Sequence, residues 1–197
     1  MLDRIWYTFP HMTISTAKES LKQYFGYDTF RPLQEEIISH AMSGKDALVL
    51  MPTGGGKSMC YQIPGIIMPG VTIVVSPLIA LMRDQVEGLV ANGVSAAFIN
   101  SSISHEEQAG VERDVQDGKI KLLYVSPEKL MSSYFLSFLF TLDVSLFAID
   151  EAHCISSWGH SFRPEYTRLR ILKEKFPTVP IIALTATADK ITRRDIL

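Results

Sequence analysis

Along most of the chain, short runs of four to six apolar residues alternate with longer segments in which apolar residues recur at helical spacing. Apolar runs rich in β-branched residues are typical of strands buried on both faces, as in a parallel sheet covered by helices. The pattern predicts six strands: Ala47–Leu50, Thr72–Val75, Ala96–Ile99, Lys121–Val125, Leu146–Ile149 and Ile181–Leu184. We therefore expect a three-layer α/β protein, with a mostly parallel central sheet flanked by helices.

Between these strands, capping residues mark the expected helix ends. Ser76-Pro77 predicts an N-cap and first helical residue for a helix that reaches Ala91. Ser104 and Glu107 predict a capping box for the next helix, which is expected to stop at Gly118. Further helices are expected at Thr16–Tyr24, at Gln34–Met42, at Met59–Ile63 before Pro64, and from about Asp189 to Leu197.

Two segments raise the question of a membrane or a targeting sequence. Ile63–Met82 contains no charged residue and is long enough to span a bilayer, but its three prolines argue against a continuous helix. Met1–Met12 lacks the continuous apolar region of a signal peptide. We interpret residues 1–15 as an N-terminal extension, disordered or non-native, and residues 16–197 as one domain with a full hydrophobic core.

Composition narrows the classes of function only slightly. The 197 residues carry a net charge of −2, so nucleic-acid binding would need a local surface rather than a global basic field. Cys60 and Cys154 lie far apart and match neither a zinc-site spacing nor a disulfide framework. We expect an intracellular protein, cytoplasmic in a bacterium or nuclear in a eukaryote, without a membrane partner.

The segment Met51–Ser58 follows a predicted buried strand and has the composition of a phosphate-binding loop. Gly54, Gly55 and Gly56 allow backbone N–H groups to converge on one anion, and Thr53 precedes them. Lys57 would pair with the β- and γ-phosphates, and Ser58 would place its hydroxyl on Mg²⁺. Met51 stands where the usual pattern begins with glycine. The alternative is a glycine-rich turn followed by an ordinary surface lysine.

A second candidate site follows another predicted strand. Asp150 and Glu151 end the apolar run at the edge where open α/β sheets bind ligands. Asp150 could hold Mg²⁺, and Glu151 could orient and deprotonate a water that attacks a γ-phosphate. A pair of solvated acids is the alternative. His153 is either a hydrogen-bonded loop histidine or a link to the segment that follows.

That segment, Cys154–Tyr166, is polar and yet rich in aromatic residues. Trp158, His160, Phe162 and Arg163 lie within six positions. Aromatic rings beside an arginine can stack on bases and pair with phosphates of single-stranded nucleic acid. Core packing of Trp158 and Phe162 is the competing interpretation.

Six segments in order give the chain a resemblance to the RecQ family of superfamily 2 DNA helicases, specifically to its first RecA-like domain, a P-loop NTPase fold. The resemblance extends from about Leu21 to Leu197. The six segments are Phe25–Gln34, Met51–Ser58, Ser76–Gln85, Asp150–His153, Cys154–Tyr166 and Ala183–Ala188. It implies a DEAH-box ATPase that uses ATP and Mg²⁺, acts on single-stranded and duplex DNA with 3′ to 5′ polarity, and serves DNA repair and recombination.

The resemblance also assigns roles to individual residues. It implies that Tyr27 and Arg31 flank the adenine and that Gln34 pairs with its edge, which matches the donor and acceptor of a Gln amide. The loop from Trp158 to Arg163 would couple DNA to hydrolysis, and Thr185 and Thr187 would link the two sites. Ser76 and Arg83 fall in a segment similar to a DNA-backbone motif, although a capped amphipathic helix explains them nearly as well.

RecQ enzymes resemble two RecA-like domains that close on ATP, and the second domain is missing from these residues. Without its arginine, which is worth about 10³–10⁵ in rate in related NTPases, we expect weak ATP binding, slow hydrolysis and no unwinding. Two alternatives stay open. One is a fragment of a DExH RNA helicase, and the other is a truncated, non-catalytic nucleotide- or DNA-binding module or regulator.

Overall fold

The fold is seen in a computed structural model, which describes residues 12–155 and 163–188. A six-stranded, fully parallel sheet has the strand order β1-β6-β5-β2-β4-β3. The strands are β1 Ala47–Leu50, β2 Val71–Val75, β3 Ala96–Ile99, β4 Leu122–Val125, β5 Val144–Ile149 and β6 Ile181–Thr185. All six predicted strands are confirmed, with ends shifted by at most two residues.

Helices cover both faces of this sheet. They are α1 Ile14–Phe25, α2 Gln34–Met42, α3 Met59–Ile67, α4 Ile79–Ala91, α5 His105–Gln116, α6 Pro127–Leu130, α7 Ser133–Leu139, α8 Pro164–Thr167 and α9 Arg170–Lys175, with a 3₁₀ turn at Ala152–Ile155. Helix α2 matches its predicted bounds. The capping box of α5 is confirmed, since the Ser104 hydroxyl accepts from Glu107 N–H and the Glu107 carboxylate accepts from Ser104 N–H.

The alternation of side chains along the strands creates two hydrophobic cores. On β2, Ile73 and Val75 face a core that is closed by α5, α7 and α9. Val74, between them, faces the opposite core with α3 and α4. Residues of α1, α2 and α3 form a smaller cluster beside that second core. Burial on both faces explains why the strands appear in the sequence as unbroken apolar runs.

Two predicted helix ends are wrong. Pro64 lies inside α3, which continues to Ile67, because Pro64 and Gly65 are buried against the sheet and packing outweighs the one missing hydrogen bond. Ser76 is not an N-cap. Its N–H donates to Val125 O at 3.2 Å, so the chain is still paired with β4, and α4 begins only at Ile79. The helix predicted from Asp189 lies outside the described residues.

Candidate functional site

The glycine-rich loop connects β1 to α3 at the carboxyl edge of the sheet. Gly54 and Gly56 have φ values of 78° and 81°, in the left-handed region that favours glycine. A Cβ on Gly55 would lie 2.9 Å from Pro52 O, and one on Gly56 would lie 2.5 Å from Gln34 Nε2. All three glycines are therefore required by this conformation. Thr53 is exposed on the same loop.

Lys57 and Ser58 lie where the loop enters α3. The Lys57 ammonium donates to Met51 O at 3.2 Å and to Pro52 O at 3.4 Å, so it lies over the loop's own carbonyl groups. Ser58 is the N-cap residue of α3, but its hydroxyl makes no capping hydrogen bond. An ammonium and a hydroxyl at a helix N-terminus are suited to a phosphate and its counter-cation.

The segment before α2 packs directly on this loop. The Arg31 guanidinium donates to Gly54 O at 2.5 Å, and Gln34 Nε2 donates to Gly56 O at 2.9 Å. Gln34 Oε1 accepts the Arg31 backbone N–H at 2.8 Å, which leaves one N–H of this buried amide for another partner. Tyr27, which precedes Arg31 in the same segment, is 55% exposed. Arg31 and Gln34 are thus brought to the loop, where they hold its shape.

Asp150 and Glu151 follow β5. Asp150 is buried, and burial raises the pKa of its carboxyl to about 6, helped by the adjacent Glu151 charge. The Glu151 N–H, which donates to Asp150 Oδ1 at 2.9 Å, and the charge of Lys57 act in the opposite direction. Glu151 itself has φ 50°, an unusual conformation for a side-chain-bearing residue. A buried carboxylate facing a lysine across a phosphate-binding loop has the donor type that Mg²⁺ prefers.

His153 connects this acidic pair to β6. Its Nδ1 lies 3.0 Å from Thr185 Oγ1 and 3.1 Å from Glu151 Oε2. The Thr185 hydroxyl donates to Thr187 O at 2.9 Å and accepts the Thr187 N–H at 3.2 Å. Because that hydroxyl hydrogen is already used, Nδ1 is the donor toward Thr185. The histidine therefore links two strand ends.

The aromatic segment is described only at its two ends. Trp158, His160 and Phe162 lie outside the described residues. Arg163 closes the base of the segment, since its N–H donates to Cys154 O at 2.9 Å. Its guanidinium lies 3.1 Å from Glu128 Oε1, which brings it to the end of β4.

The last residue of the aromatic segment, Tyr166, has a role that the sequence did not predict. Tyr166 is buried, and its hydroxyl donates to Asp150 O at 2.8 Å. The segment is therefore anchored to the backbone of the candidate metal ligand. An aromatic residue at the end of an otherwise polar stretch was the available sign, but its partner could not be identified from the sequence.

An open groove of about 780 Å³ lies beside this site, at the carboxyl ends of β2, β3 and β4. Its lining is mixed polar and apolar: Pro77, Leu78, Ile79, Asn100, Ser101, Ile103, His105, Gln108, Ser126, Glu128, Lys129, Ser132 and Arg163. Lys129 Nζ donates to Gln108 Oε1 at 2.7 Å, which holds the ammonium on the groove wall. Ser-Pro follows a buried strand both at Ser76 and at Ser126, and this repetition could have indicated the second groove segment.

Ser76 and Arg83, the other two candidates for nucleic-acid contact, are not equally placed. Ser76 is buried and its hydroxyl has no hydrogen-bond partner, whereas Arg83 is exposed on α4. Among the described residues, no group of three or more His, Cys, Asp or Glu side chains could hold a metal by itself. In the same part of the chain, no helix is both long and apolar enough to cross a membrane.

Comparisons with known proteins agree with this geometry. The model of the DEAD/DEAH box helicase family matches residues 31–195. The chain is 57% identical over 182 residues to the ATP-dependent DNA helicase RecQ of Haemophilus influenzae, covering 92% of this chain and 29% of that protein. It is 47% identical to the probable ATP-dependent DNA helicase RecS of Bacillus subtilis, covering 93% and 37% of the two chains. It is 45% identical to the RecQ-like DNA helicase BLM of Xenopus laevis, covering 97% and 14%.

Solved structures resemble the fold as well. A hypothetical ATP-dependent RNA helicase from Sulfolobus tokodaii superposes with a TM-score of 0.69 at 20% identity, over 93% of this chain and 53% of that one. The helicase MrfA bound to DNA gives a TM-score of 0.71 at 18% identity, over 91% and 28%. At these identities the likeness concerns the fold alone. The expected α/β P-loop NTPase fold is confirmed.

The chain spans less than two fifths of the length of each of these three curated relatives. The chain belongs to the DEAD/DEAH box helicase family, and its predicted resemblance to the RecQ helicases is confirmed.

Proposed function

We propose that these residues form the ATP-binding domain of a RecQ-type DNA helicase, which couples ATP hydrolysis to single-stranded DNA. The supporting observation is that the glycine loop, Asp150 and the groove share the carboxyl edge of one parallel sheet. Ligands of open α/β sheets bind at this edge. We take residues 16–197 as the RecA-like domain and residues 1–15 as an extension, the last two residues of which begin α1.

In this proposal ATP binds across the loop. Backbone N–H groups of the loop hold the phosphates, and Lys57 turns from its own loop carbonyls to the β- and γ-phosphates. Tyr27 and Arg31 flank the adenine, and the remaining N–H of the Gln34 amide meets the base edge.

Ser58 and Asp150 are the residues that would hold Mg²⁺. The Ser58 hydroxyl makes no capping hydrogen bond. Burial disfavours the ionised form of Asp150 and raises its pKa, and a nearby cation would stabilise that ionised form. A bound Mg²⁺ would neutralise charge on the phosphates. Glu151 lies next in sequence and is partly exposed, so it can accept the proton of an attacking water.

We propose that single-stranded DNA lies along the groove, with Lys129 and Arg163 facing its phosphates. Trp158, His160 and Phe162 would stack on its bases. When DNA binds, the hydrogen bonds of His153, Thr185 and Thr187 would change the orientation of Glu151. The 3′ to 5′ polarity rests on the family resemblance, and action on DNA implies an intracellular site.

A second RecA-like unit would complete this catalytic site. Without one, the charge on the γ-phosphate lacks a second cationic partner, so these 197 residues are expected to bind ATP·Mg²⁺ weakly and hydrolyse it slowly. They are not expected to separate strands.

ATP turnover tests the proposal when measured with oligo-dT, with oligo-U and without nucleic acid. The chain is compared with a version extended through a second RecA-like domain. We expect stimulation by oligo-dT in the extended form and little turnover in the shorter one. Stimulation by oligo-U alone would favour an RNA helicase. Strand separation by the 197 residues would contradict the proposal that a second RecA-like unit is needed for unwinding.

A further inference from the structure

A polar cluster of Gln62, Gln85 and Tyr124, the glutamine–tyrosine cluster, joins α3, α4 and β4. Gln62 and Tyr124 are buried, and Gln85 is partly buried. Gln62 Nε2 donates to Gln85 Oε1 at 2.8 Å and to Tyr124 Oη at 3.1 Å. Tyr124 Oη in turn donates to Gln85 Oε1 at 3.2 Å. The three side chains form a closed triangle in which both hydrogens of the Gln62 amide are used.

The surroundings of this triangle are apolar. Gln62 is 4% exposed and Tyr124 is 1% exposed, and the core around Tyr124 includes Val74, Met82 and Leu122. Burying amides here costs free energy that the hydrogen bonds only offset. Replacing all three polar side chains together with leucine or phenylalanine would therefore cost little stability. What the triangle adds is geometry, because it fixes the position of α3 against α4 and β4.

One residue of the triangle, Gln62, lies on the helix that follows the nucleotide loop. Helix α3 starts immediately after Lys57 and Ser58, and the Gln62 N–H donates to Ser58 O at 2.9 Å. Gln62 therefore lies one helical turn from the hydroxyl that would hold Mg²⁺, and a displacement of Ser58 displaces its backbone.

The other two residues of the triangle lie on elements that lead to the groove. Gln85 lies on α4, whose N-cap Leu78 and first residue Ile79 line the groove wall. Tyr124 lies on β4, two residues before Ser126, which opens the groove segment that carries Lys129. Burial raises the pKa of Tyr124 to about 12, so its hydroxyl remains a donor at neutral pH.

We propose that the glutamine–tyrosine cluster is a positioning device that transmits nucleotide occupancy from α3 to the groove. The proposal rests on the proposed function, since it takes the loop to hold ATP and the groove to hold DNA. It adds a second route beside the one through His153 and Thr185, and it runs through the opposite core. Spatial connection alone does not establish coupling, so the test measures coupling directly.

The test follows backbone amide signals of the 197-residue chain by NMR, with and without a non-hydrolysable ATP analogue and Mg²⁺. In the unmodified chain, we expect shifts at Gly54–Lys57 and also at Leu78, Ile79 and Lys129. Gln85→Leu removes the link to α4, so the loop shifts should remain while those at Leu78 and Ile79 disappear. Tyr124→Phe removes the link to β4, so the loop shifts should remain while the shift at Lys129 disappears. Tyr61→Phe is the matched control, because it keeps the ring beside Tyr124 and leaves the three hydrogen bonds of the triangle in place, while removing a hydroxyl that lies 3.4 Å from Gln85 Oε1.

Oligo-dT affinity gives an independent measure. We expect the analogue to change this affinity by about 5-fold or more in the unmodified chain and in Tyr61→Phe, but not in the two cluster variants. Should Gln85→Leu fail to fold, as judged by circular dichroism, Tyr124→Phe decides, since it removes a single oxygen atom.

The possible failures are distinct. Absence of loop shifts in the unmodified chain would overturn the proposed nucleotide binding. Loop shifts without groove shifts, or groove shifts that persist in both cluster variants, would overturn only the role of the cluster.

Discussion

His153 Nδ1 lies 3.0 Å from Thr185 Oγ1, and this contact joins the strand end that carries Asp150 and Glu151 to the end of β6. The same nitrogen lies 3.1 Å from Glu151 Oε2. The proposed catalytic base is thus oriented by a residue whose own position depends on the Thr185 hydroxyl. Mutation of a group that orients a functional side chain typically lowers activity by about 10- to 100-fold.

Thr185→Val removes that hydroxyl while keeping the shape of the side chain. We expect DNA-stimulated ATP turnover in the two-domain form to fall by about 10-fold, with unchanged ATP affinity, because Glu151 loses its orientation. Thr185→Ser, which keeps the hydroxyl, should retain turnover. Turnover assays with saturating oligo-dT measure both variants. An equal loss in the valine and serine variants would mean that packing, and not the hydrogen bond, matters at this position.

Lys57→Ala tests the nucleotide loop. The Lys57 ammonium donates to two loop carbonyl groups, and its charge is the smallest of the influences on the Asp150 pKa, so its removal should change thermal stability little. The affinity for ATP·Mg²⁺ should fall on the order of 100-fold, since a cationic partner of the phosphates is lost. Fluorescent-nucleotide titration measures the affinity. Lys45→Ala, at an exposed lysine just before β1, is the control and should bind as the unmodified chain does.

Trp158→Ala tests the aromatic segment, whose central residues lie outside the described part of the chain. Loss of one stacked base, worth about 1–3 kcal/mol, should weaken oligo-dT binding by about 5- to 150-fold. Basal ATP turnover should be unaffected. Phe140→Ala removes an exposed aromatic ring outside the groove lining and should change neither quantity. Full DNA stimulation in the Trp158 variant would contradict the proposed coupling role.

The strands could be predicted from the sequence because burial on both faces leaves a direct trace in composition, as in Val71–Val75, where every residue is buried. Helix ends were harder. Local signs at Pro64 and Ser76 were outweighed by tertiary contacts, namely the packing of α3 on the sheet and the pairing of Ser76 N–H with Val125 O.

The candidate site divides in the same way. The glycines of the loop and the acids after β5 are contiguous in sequence, so their chemistry was visible there. The contacts of Arg31 with Gly54 O, of Tyr166 with Asp150 O and of Gln62 with Gln85 join residues 16 to 23 positions apart. Such pairs depend on how elements pack, which no local pattern specifies.

Gly56→Ala and Gly88→Ala form a matched pair of substitutions. An alanine at position 56 must adopt φ 81° and would press its Cβ against Gln34 Nε2, so we expect a loss of about 1–2 kcal/mol in unfolding free energy and weak ATP binding. Position 88 lies inside α4 with open space around a Cβ, so alanine should stabilise by about 0.5–1 kcal/mol. Urea unfolding measures both. Equal effects of the two changes would mean that the loop conformation is not fixed.

Asp150→Asn tests whether the buried carboxylate is kept for function at a cost in stability. The folded-state pKa of Asp150 is about 6, above the ordinary value of 3.8, so the protein binds a proton there more tightly when folded than when unfolded. Ionised Asp150 therefore destabilises the fold above about pH 6, and this penalty disappears as the pH falls below the ordinary value. Asparagine carries no charge, and its Oδ1 can still accept the Glu151 N–H.

Without Mg²⁺, we expect the asparagine variant to be more stable than the unmodified chain at pH 8, on the order of 3 kcal/mol, and equally stable near pH 3, below the ordinary pKa of 3.8. Urea unfolding at the two pH values measures the difference. ATP and Mg²⁺ together should stabilise the unmodified chain but not the variant, because the proposed metal ligand is lost. Lower stability of the variant at pH 8 would show that ionised Asp150 is favourably paired within the folded chain. Equal stabilisation of both chains by ATP and Mg²⁺ would remove Asp150 from the metal site.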